Sequence, residues 1–198
     1  MQDRLDIPGE SDDLRARRTR DQLAWALVGL LHEKPYDDIS VQDIAERAKV
    51  GRSTFYAHFQ DKDEMFVRHN VVFGQLMGER LAWDESLHGF RFPIRFMFEH
   101  VREMRPVYDS LAKSRRLDLL LKVWQVNMTE VFEKRITESR HGADPAAAAL
   151  TAAMPAAILA HHFAGTIMTL LVWWLDHHYP IDSQRMEDHF HRLTMGLR

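Results

Sequence analysis

Basic and hydroxyl side chains in the first third of the chain have the chemistry to bind phosphates and base edges. Two clusters of cations occur there, the first at Arg15, Arg17, Arg18 and Arg20 and the second at Arg47, Lys49 and Arg52. Arginine can bond bidentately to guanine, and hydroxyl groups suit phosphate oxygens. The net charge is only −3, so any such binding must come from local patches. The alternative is that both clusters are solvated helix faces.

The twelve histidines raise a second possibility, a metal site or an enzyme. The chain has no His-Glu-x-x-His, Gly-x-Ser-x-Gly or phosphate-loop motif, and it has no cysteine. Two Glu-x-x-His patterns, Glu85 to His88 and Glu138 to His141, are typical of di-metal helical bundles. Both precede a glycine at an expected helix C-terminus, where the helix dipole explains a histidine. We therefore expect no enzyme, no metal and no cofactor, and a di-metal enzyme is the remote alternative.

The elements that would position these residues are helices. Apolar residues recur at helical spacing, and no segment alternates apolar and polar residues as a strand does. We therefore predict an all-α protein without strands. The predicted helices cover residues 14–32, 41–48, 52–58, 61–83, 91–104, 106–113, 116–140, 146–176 and 183–196. Pro155 should kink or split the helix that contains it.

The second and third of these helices are short and are joined by a tight turn, which predicts a helix-turn-helix. Ser40 with Asp43, and Asp61 with Glu64, have the spacing of N-terminal capping pairs. Gly51, in the turn, is expected to take a backbone conformation that other residues resist. The buried stripe of the preceding helix is expected at Leu23, Leu27, Leu30 and Leu31.

The stretch from Ile39 to Met65 resembles the DNA-binding domain of the TetR family. Its most recognisable piece is the run Thr54-Phe55-Tyr56-Ala57-His58-Phe59, followed by Lys62-Asp63-Glu64. The resemblance covers about residues 15–65 and implies a three-helix DNA-binding domain whose recognition helix enters the major groove. Within that helix we expect Phe55 and Phe59 to be core residues.

The resemblance also implies roles for individual positions. Base edges would meet Arg52, Ser53 and Thr54. The phosphate backbone would meet Val41, Gln42, Tyr56, His58 and Lys62, and the N-terminal arm would add Arg17 and Arg18. Lys49 stands where members of the family often have glycine, so either the turn glycine has shifted to Gly51 or Lys49 adds a phosphate contact. Gly51 stands where a serine or threonine cap is usual.

The resemblance implies that the remainder of the chain is regulatory and senses an effector, and that its last two helices, about 155–176 and 183–196, dimerise as a four-helix bundle. The predicted ranges are a flexible acidic arm at 1–13, the DNA-binding domain at 14–65 and a larger helical domain at 66–198. Candidate dimer contacts, for which a monomer core face is the less favoured alternative, are Ile158, Gly165, Thr166, Thr169, Val172 and Trp173. Candidate effector contacts, each of which could be ordinary core, are Met97, Phe98, Met104, Tyr108, Trp124, Met128, His162 and Met168.

Together these features predict a cytoplasmic, ligand-responsive repressor that binds a palindromic double-stranded DNA operator as a homodimer. The effector is an unidentified small molecule. We expect no membrane segment, because the apolar run Phe163 to Leu175 is shorter than the roughly 20 residues that a span needs. The N-terminus lacks the pattern of a secretory signal. The alternative is a helical co-regulator that binds a protein partner and no operator.

Overall fold

The computed structural model describes residues 10–84, 89–140 and 154–195, and this part of the chain is mainly helical. The predicted all-α class is confirmed. The helices are α1 Glu10–Leu31, α2 Val41–Arg47, α3 Arg52–His58, α4 Lys62–Glu79, α5 Ile94–Glu103, α6 Arg105–Lys113, α7 Leu117–Arg140, α8 Ala156–Asp176 and α9 Ser183–Met195. A 3-10 helix at Tyr36–Asp38 lies between α1 and α2.

One helix start differs clearly from the prediction, because helix α1 begins at Glu10, within the range predicted as a flexible arm. Helix α8 begins at Ala156, with Pro155 as its N-cap, so no helix runs through the proline and the predicted split at Pro155 is confirmed. The earlier part of the predicted helix, up to residue 153, lies outside the described residues.

The prediction that the chain has no strand is wrong at one place. Strands β1, Ala82–Asp84, and β2, Gly89–Arg91, pair antiparallel with Trp83 opposite Phe90. The predicted helix 61–83 therefore ends at Glu79. Three-residue strands are too short to show an alternating pattern. An ion pair of 2.7 Å between Arg91 and Asp84 joins the two strands.

Contacts divide the chain into two compact units. The first contains the chain up to His69 together with Pro106–Arg116, and the second contains Asn70–Arg105 and the chain from Leu117 onward. The sequence-based ranges had placed residues 106–116 with the regulatory domain. The division falls inside helix α4, so one continuous helix contributes to both units.

The first unit is built around the apolar stripe of α1. The four leucines predicted for this stripe are buried, at most 6% exposed, which confirms that expectation. Ile44 from α2, Phe55 from α3 and Met65 from α4 are fully buried in the same unit. Burial of such side chains stabilises a fold by about 1.5–3 kcal/mol each, so this core is sufficient to fix the short helices α2 and α3.

The second unit has a core of rings and a close helix crossing. Phe92 contacts Phe132, Phe163 and Phe190, with ring centroids 4.4–5.4 Å apart. Helix α4 passes so near α7 that a Cβ atom on Gly78 would lie 1.6 Å from Val131 Cγ1. Only glycine fits there.

Helix α8 is long and apolar enough to cross a membrane by length and composition alone. However, 44% of its most apolar window is buried inside the protein. It packs on α7 through a continuous stripe that includes Leu159, Phe163, Ile167 and Leu171. A single apolar helix of this length meets the same criteria whether it crosses a membrane or packs in a protein core.

Candidate DNA-binding surface and regulatory region

Helix α2 is held at its N-terminus by the predicted capping box. The Asp43 backbone N–H donates to Ser40 Oγ at 3.1 Å, and the Ser40 backbone N–H donates to Asp43 Oδ2 at 2.7 Å. These bonds from Ser40, with a further one from Lys34, hold the pKa of Asp43 well below its ordinary value. The capping prediction is confirmed, and it fixes where α2 begins.

Helix α4 begins with a similar reciprocal cap. The Glu64 backbone N–H donates to Asp61 Oδ1 at 2.7 Å, as the sequence predicted. The Glu64 carboxylate accepts in return from the backbone N–H of Gln60 at 2.6 Å, one residue before the cap. Both bonds fix the point at which α4 starts after α3 has ended.

The turn between α2 and α3 differs from the prediction. Gly51 has φ −74° and ψ 154°, an extended conformation that any residue can adopt. Lys49 takes the left-handed conformation instead, with φ 57°. The Val50 N–H then donates to the Ala45 carbonyl at 3.0 Å, which closes the end of α2. The glycine that the turn would favour is absent from the position that needs it.

Helix α3 buries one side and exposes the other. Phe55 and Phe59 are 0% and 4% exposed, which confirms their assignment to the core. On the opposite side Arg52, Ser53 and Tyr56 are exposed. Arg52 lies 5.9 Å above the Tyr56 ring and has no ion-pair partner among the described residues. The helix therefore presents a guanidinium group and hydroxyl groups to the solvent together.

The remaining positions predicted to contact DNA are also in the first unit. Thr54, His58 and Val41 are half-exposed, and Lys49 is exposed. Gln42 is exposed, and its side-chain amide donates to Glu46 at 2.5 Å. Arg17 and Arg18 are exposed on α1.

Two cations in this region bind other parts of the protein. Arg47, from the second basic cluster, pairs with Glu33 at 2.6 Å, across a site where Gly29 leaves room for its side chain. Lys62 Nζ donates to the carbonyls of Tyr36 and Ile39, both at 2.7 Å. Burial lowers the pKa of Lys62. An ammonium group has three N–H donors, so Lys62 retains one beyond these two bonds.

A polar cluster that the sequence did not predict joins residues 106–116 to the helix-turn-helix. The Tyr36 hydroxyl donates to Asp63 at 2.5 Å, and Arg116 lies 3.4 Å from the same carboxylate. Burial and the Asp63 hydrogen bond raise the pKa of Tyr36 far above its ordinary value. Ser110 Oγ donates to the Lys34 carbonyl at 3.1 Å. The partners are too far apart in the chain for any local pattern to reveal them.

Comparison with known proteins identifies this arrangement. The model of the family described as bacterial regulatory proteins, tetR family, matches residues 26–68, which include α2 and α3. Over these residues the chain is similar to the TetR family. The dhaKLM operon transcriptional activator DhaS of Lactococcus lactis subsp. lactis strain IL1403 is 26% identical over 93 residues, 47% of this chain and 48% of that protein. The matched stretches span less than half of the curated relatives' own length.

Solved structures of TetR-family type share the fold over nearly the whole chain. A TetR transcriptional regulator from Streptococcus agalactiae 2603V aligns with a TM-score of 0.57 and 19% identity, covering 93% of this chain and 98% of that one. The flavonoid-responsive regulator FrrA aligns with a TM-score of 0.56 and 17% identity, covering 89% and 92%. At these identities the likeness establishes the fold.

The candidate effector residues of this chain do not form one group. Six are buried: Met97, Phe98, Tyr108, Trp124, Met128 and Met168. Met104 is half-exposed and His162 is exposed. Tyr108 belongs to the first unit, whereas the others belong to the second. Within the second unit Phe73 stacks on Trp124 at 4.3 Å and on His100 at 4.7 Å.

The candidate dimer residues all lie on α8, on the side away from its buried stripe. Ile158, Val172 and Trp173 are 55%, 39% and 41% exposed, which is unusual for large apolar side chains. Gly165 and Thr169 line a groove of about 480 Å³ between α7 and α8.

Among the described residues no group of three or more metal-ligating side chains could hold an ion. Glu85, His88 and His141 lie outside them.

Proposed function

We propose that this chain is a sequence-specific DNA-binding transcription regulator that binds a palindromic operator as a homodimer. The observation that carries the proposal is helix α3, which buries Phe55 and Phe59 and turns Arg52, Ser53 and Tyr56 outward. A helix fixed in this way after a tight turn has the geometry that enters the major groove. The tetR-family match over residues 26–68 supports the same function.

In the proposed complex the start of α3 reads bases and its flanks hold phosphates. Arg52 suits a bidentate contact to guanine, with Ser53 and Thr54 beside it. Phosphate contacts come from two groups. The first is the rest of the helix-turn-helix, namely Tyr56, His58, Lys49, Val41 and Gln42, and the second is Arg17, Arg18 and the remaining N–H of Lys62.

The homodimer is proposed from the exposed apolar face of α8. Two-fold operators are read by two-fold proteins, since each half-site must meet an identical recognition helix. Large apolar side chains left exposed on one helix face are typical of an interface.

The sensing part of the proposal places the effector in the second unit. A small molecule would bind among the candidate residues on α5, α7 and α8, and it would release the operator. FrrA is named as flavonoid-responsive, which supports a ligand-responsive regulator. DhaS is named as an activator, so members similar to this chain can activate transcription. For this chain we expect repression, and a reporter assay of the regulated promoter decides between the two. The proposed domain ranges are an N-terminal arm at 1–13, a DNA-binding domain at 14–65 and a regulatory and dimerisation domain at 66–198. The proposed location of the protein is the cytoplasm. No enzyme activity is proposed.

The test is selection of genomic fragments by the purified protein, followed by titration of the best fragment at several salt concentrations. We expect a palindromic site, nanomolar affinity and a steep salt dependence. Arg52→Ala should relax sequence preference and cost about 1–3 kcal/mol on the specific site. Arg102→Ala removes the same charge from an exposed position on α5 and should change neither quantity.

Two results would overturn this proposal. Equal weakening of specific and random DNA by Arg52→Ala would show that Arg52 is not a base contact. Failure to select any fragment, together with recovery of one stoichiometric protein partner, would favour a co-regulator without operator binding.

A further inference from the structure

The solvent-facing side of α8 differs from that of the other helices in its lack of charge. From Ala156 to Leu175 the helix contains no Asp, Glu, Lys or Arg. By contrast, the exposed positions of α9 include Arg185, Asp188 and Arg192. The charges beside this face are of both signs, since Asp118 and Lys122 of α7 line the adjoining groove and Asp176 ends α8, so a second copy of the face meets it without repulsion between surfaces of a single sign.

The same face is symmetric in shape about Thr169. Helical spacing places Gly165 and Trp173 equally far from Thr169 on either side, and likewise Thr166 and Val172. A Cβ atom added to Gly165 would have only Gln125 Nε2 nearby, at 3.9 Å, so space is open above the glycine.

The side chain that would fill this space is held in place. The Trp173 ring stacks on the His177 ring with centroids 5.0 Å apart, and His177 Nδ1 hydrogen-bonds the Trp173 carbonyl at 2.7 Å. The tryptophan is nevertheless 41% exposed. A large, ordered apolar ring thus lies two turns away from an empty position on the same face.

We propose that two copies of α8 pack antiparallel with Thr169 on the two-fold axis, so that Trp173 of each copy fills the space above Gly165 of the other. This inference rests on the homodimer proposed above and specifies its register. Helices packed face to face lie 8–10 Å apart and interlock large side chains with small ones. The same register brings Asp176 of one copy to His162 of the other, where a carboxylate can accept a hydrogen bond from a ring N–H.

Single cysteines test this register directly, because the chain has no cysteine of its own. In Thr169→Cys the two Cα atoms should lie about 4–5 Å apart across the axis, close to the range of a disulfide. The matched control is Val172→Cys, also on the exposed face. There the helical rise separates the two Cα atoms of residue 172 by about 9 Å, beyond the range of a disulfide. After mild oxidation, non-reducing electrophoresis should show mostly cross-linked Thr169→Cys and at least five-fold less cross-linked Val172→Cys.

A swap of the two complementary residues provides a second readout. Gly165→Trp should weaken dimerisation at least ten-fold, because two tryptophans then compete for one space. The double variant Gly165→Trp with Trp173→Gly restores one large and one small residue at each contact and should recover most of the loss. Circular dichroism checks that each variant remains helical.

Sedimentation velocity separates the failure of the register from the failure of the homodimer. A dimer that cross-links through Thr169 supports the inference. A dimer that cross-links through Val172, or through neither cysteine, overturns the register and leaves the homodimer standing. A monomer at micromolar concentration overturns both.

Discussion

Replacing Lys49 by glycine should make the first unit more stable while weakening its hold on DNA. Lys49 has φ 57°, a left-handed conformation that costs a residue with a Cβ atom roughly 1–2 kcal/mol. Glycine avoids that cost but loses about 0.5–1 kcal/mol through the greater freedom of its unfolded chain. We therefore expect a net gain of about 0.5–1 kcal/mol, which corresponds to about 2 °C in the melting temperature of a chain this long.

The charge of Lys49 gives a second, independent readout. Lys49 is exposed beside α3, where the proposed function places it on a phosphate. Each phosphate contact contributes about 0.9 to the slope of log affinity against log salt concentration. Loss of one contact in each copy of a dimer should therefore flatten the slope by about 2.

Lys49→Ala separates the two effects, because alanine removes the charge and keeps the backbone strain. It should flatten the salt slope as much as Lys49→Gly and give none of the gain in stability. Urea denaturation followed by circular dichroism measures the free energy of unfolding, and fluorescence anisotropy of a labelled operator at several salt concentrations measures the slope. Equal unfolding free energies for the two variants would refute the strain argument, and unchanged slopes would refute the phosphate contact.

Two further predictions concern the second unit. Gly78→Ala should destabilise it by about 1–3 kcal/mol, since the new Cβ would lie 1.6 Å from Val131 Cγ1. Val131→Ala in the same background should recover part of that loss, and an unchanged urea midpoint for Gly78→Ala would contradict the close crossing. His191 accepts a hydrogen bond from the Phe92 N–H at 3.2 Å, and burial lowers its pKa. Its contribution to stability is therefore complete above about pH 6.5 and is lost as the pH falls through the lowered pKa of the folded state. His191→Gln keeps an acceptor but does not titrate, so it should reduce the fall in urea midpoint between pH 7 and 5, and an identical fall in both proteins would exclude His191.

The helix-turn-helix could be predicted because its signals are local. Ser40 and Asp61 are capping residues three positions before their partners, and the leucines of α1 repeat at helical spacing. The hairpin of β1 and β2 could not be predicted from the sequence, since each strand has only three residues. The ion pair between Arg91 and Asp84 forms only after the turn has brought the two strands together. The break before α8 could also be predicted, since a proline resists a position inside a helix and α8 begins directly after Pro155.

The turn shows a different limit of sequence reasoning. The sequence predicts that the turn glycine takes the conformation other residues resist, yet Gly51 is extended and Lys49 is left-handed. The hydrogen bond from the Val50 N–H to the Ala45 carbonyl fixes which residue must turn. The position of a residue after the last helical carbonyl decides whether that residue takes the left-handed conformation. The residue type decides only the free energy that this conformation costs.

The cations of the first unit show how a chain with net charge −3 can still present a surface for phosphates. Arg47 is bonded to Glu33, and Lys62 uses two of its N–H groups on backbone carbonyls, so part of the positive charge fixes the fold. Arg52 and Lys49 have no such internal bond among the described residues, and both are exposed on either side of Gly51. The number of basic residues in the clusters overestimates the cations that can meet DNA, because some of them are bonded inside the protein. The net charge of the whole molecule underestimates the positive field near the exposed ones. Salt slopes measured on Arg47→Ala and Lys49→Ala should therefore differ, with only the second flattened, and equal slopes would show that the Glu33 pair opens on DNA.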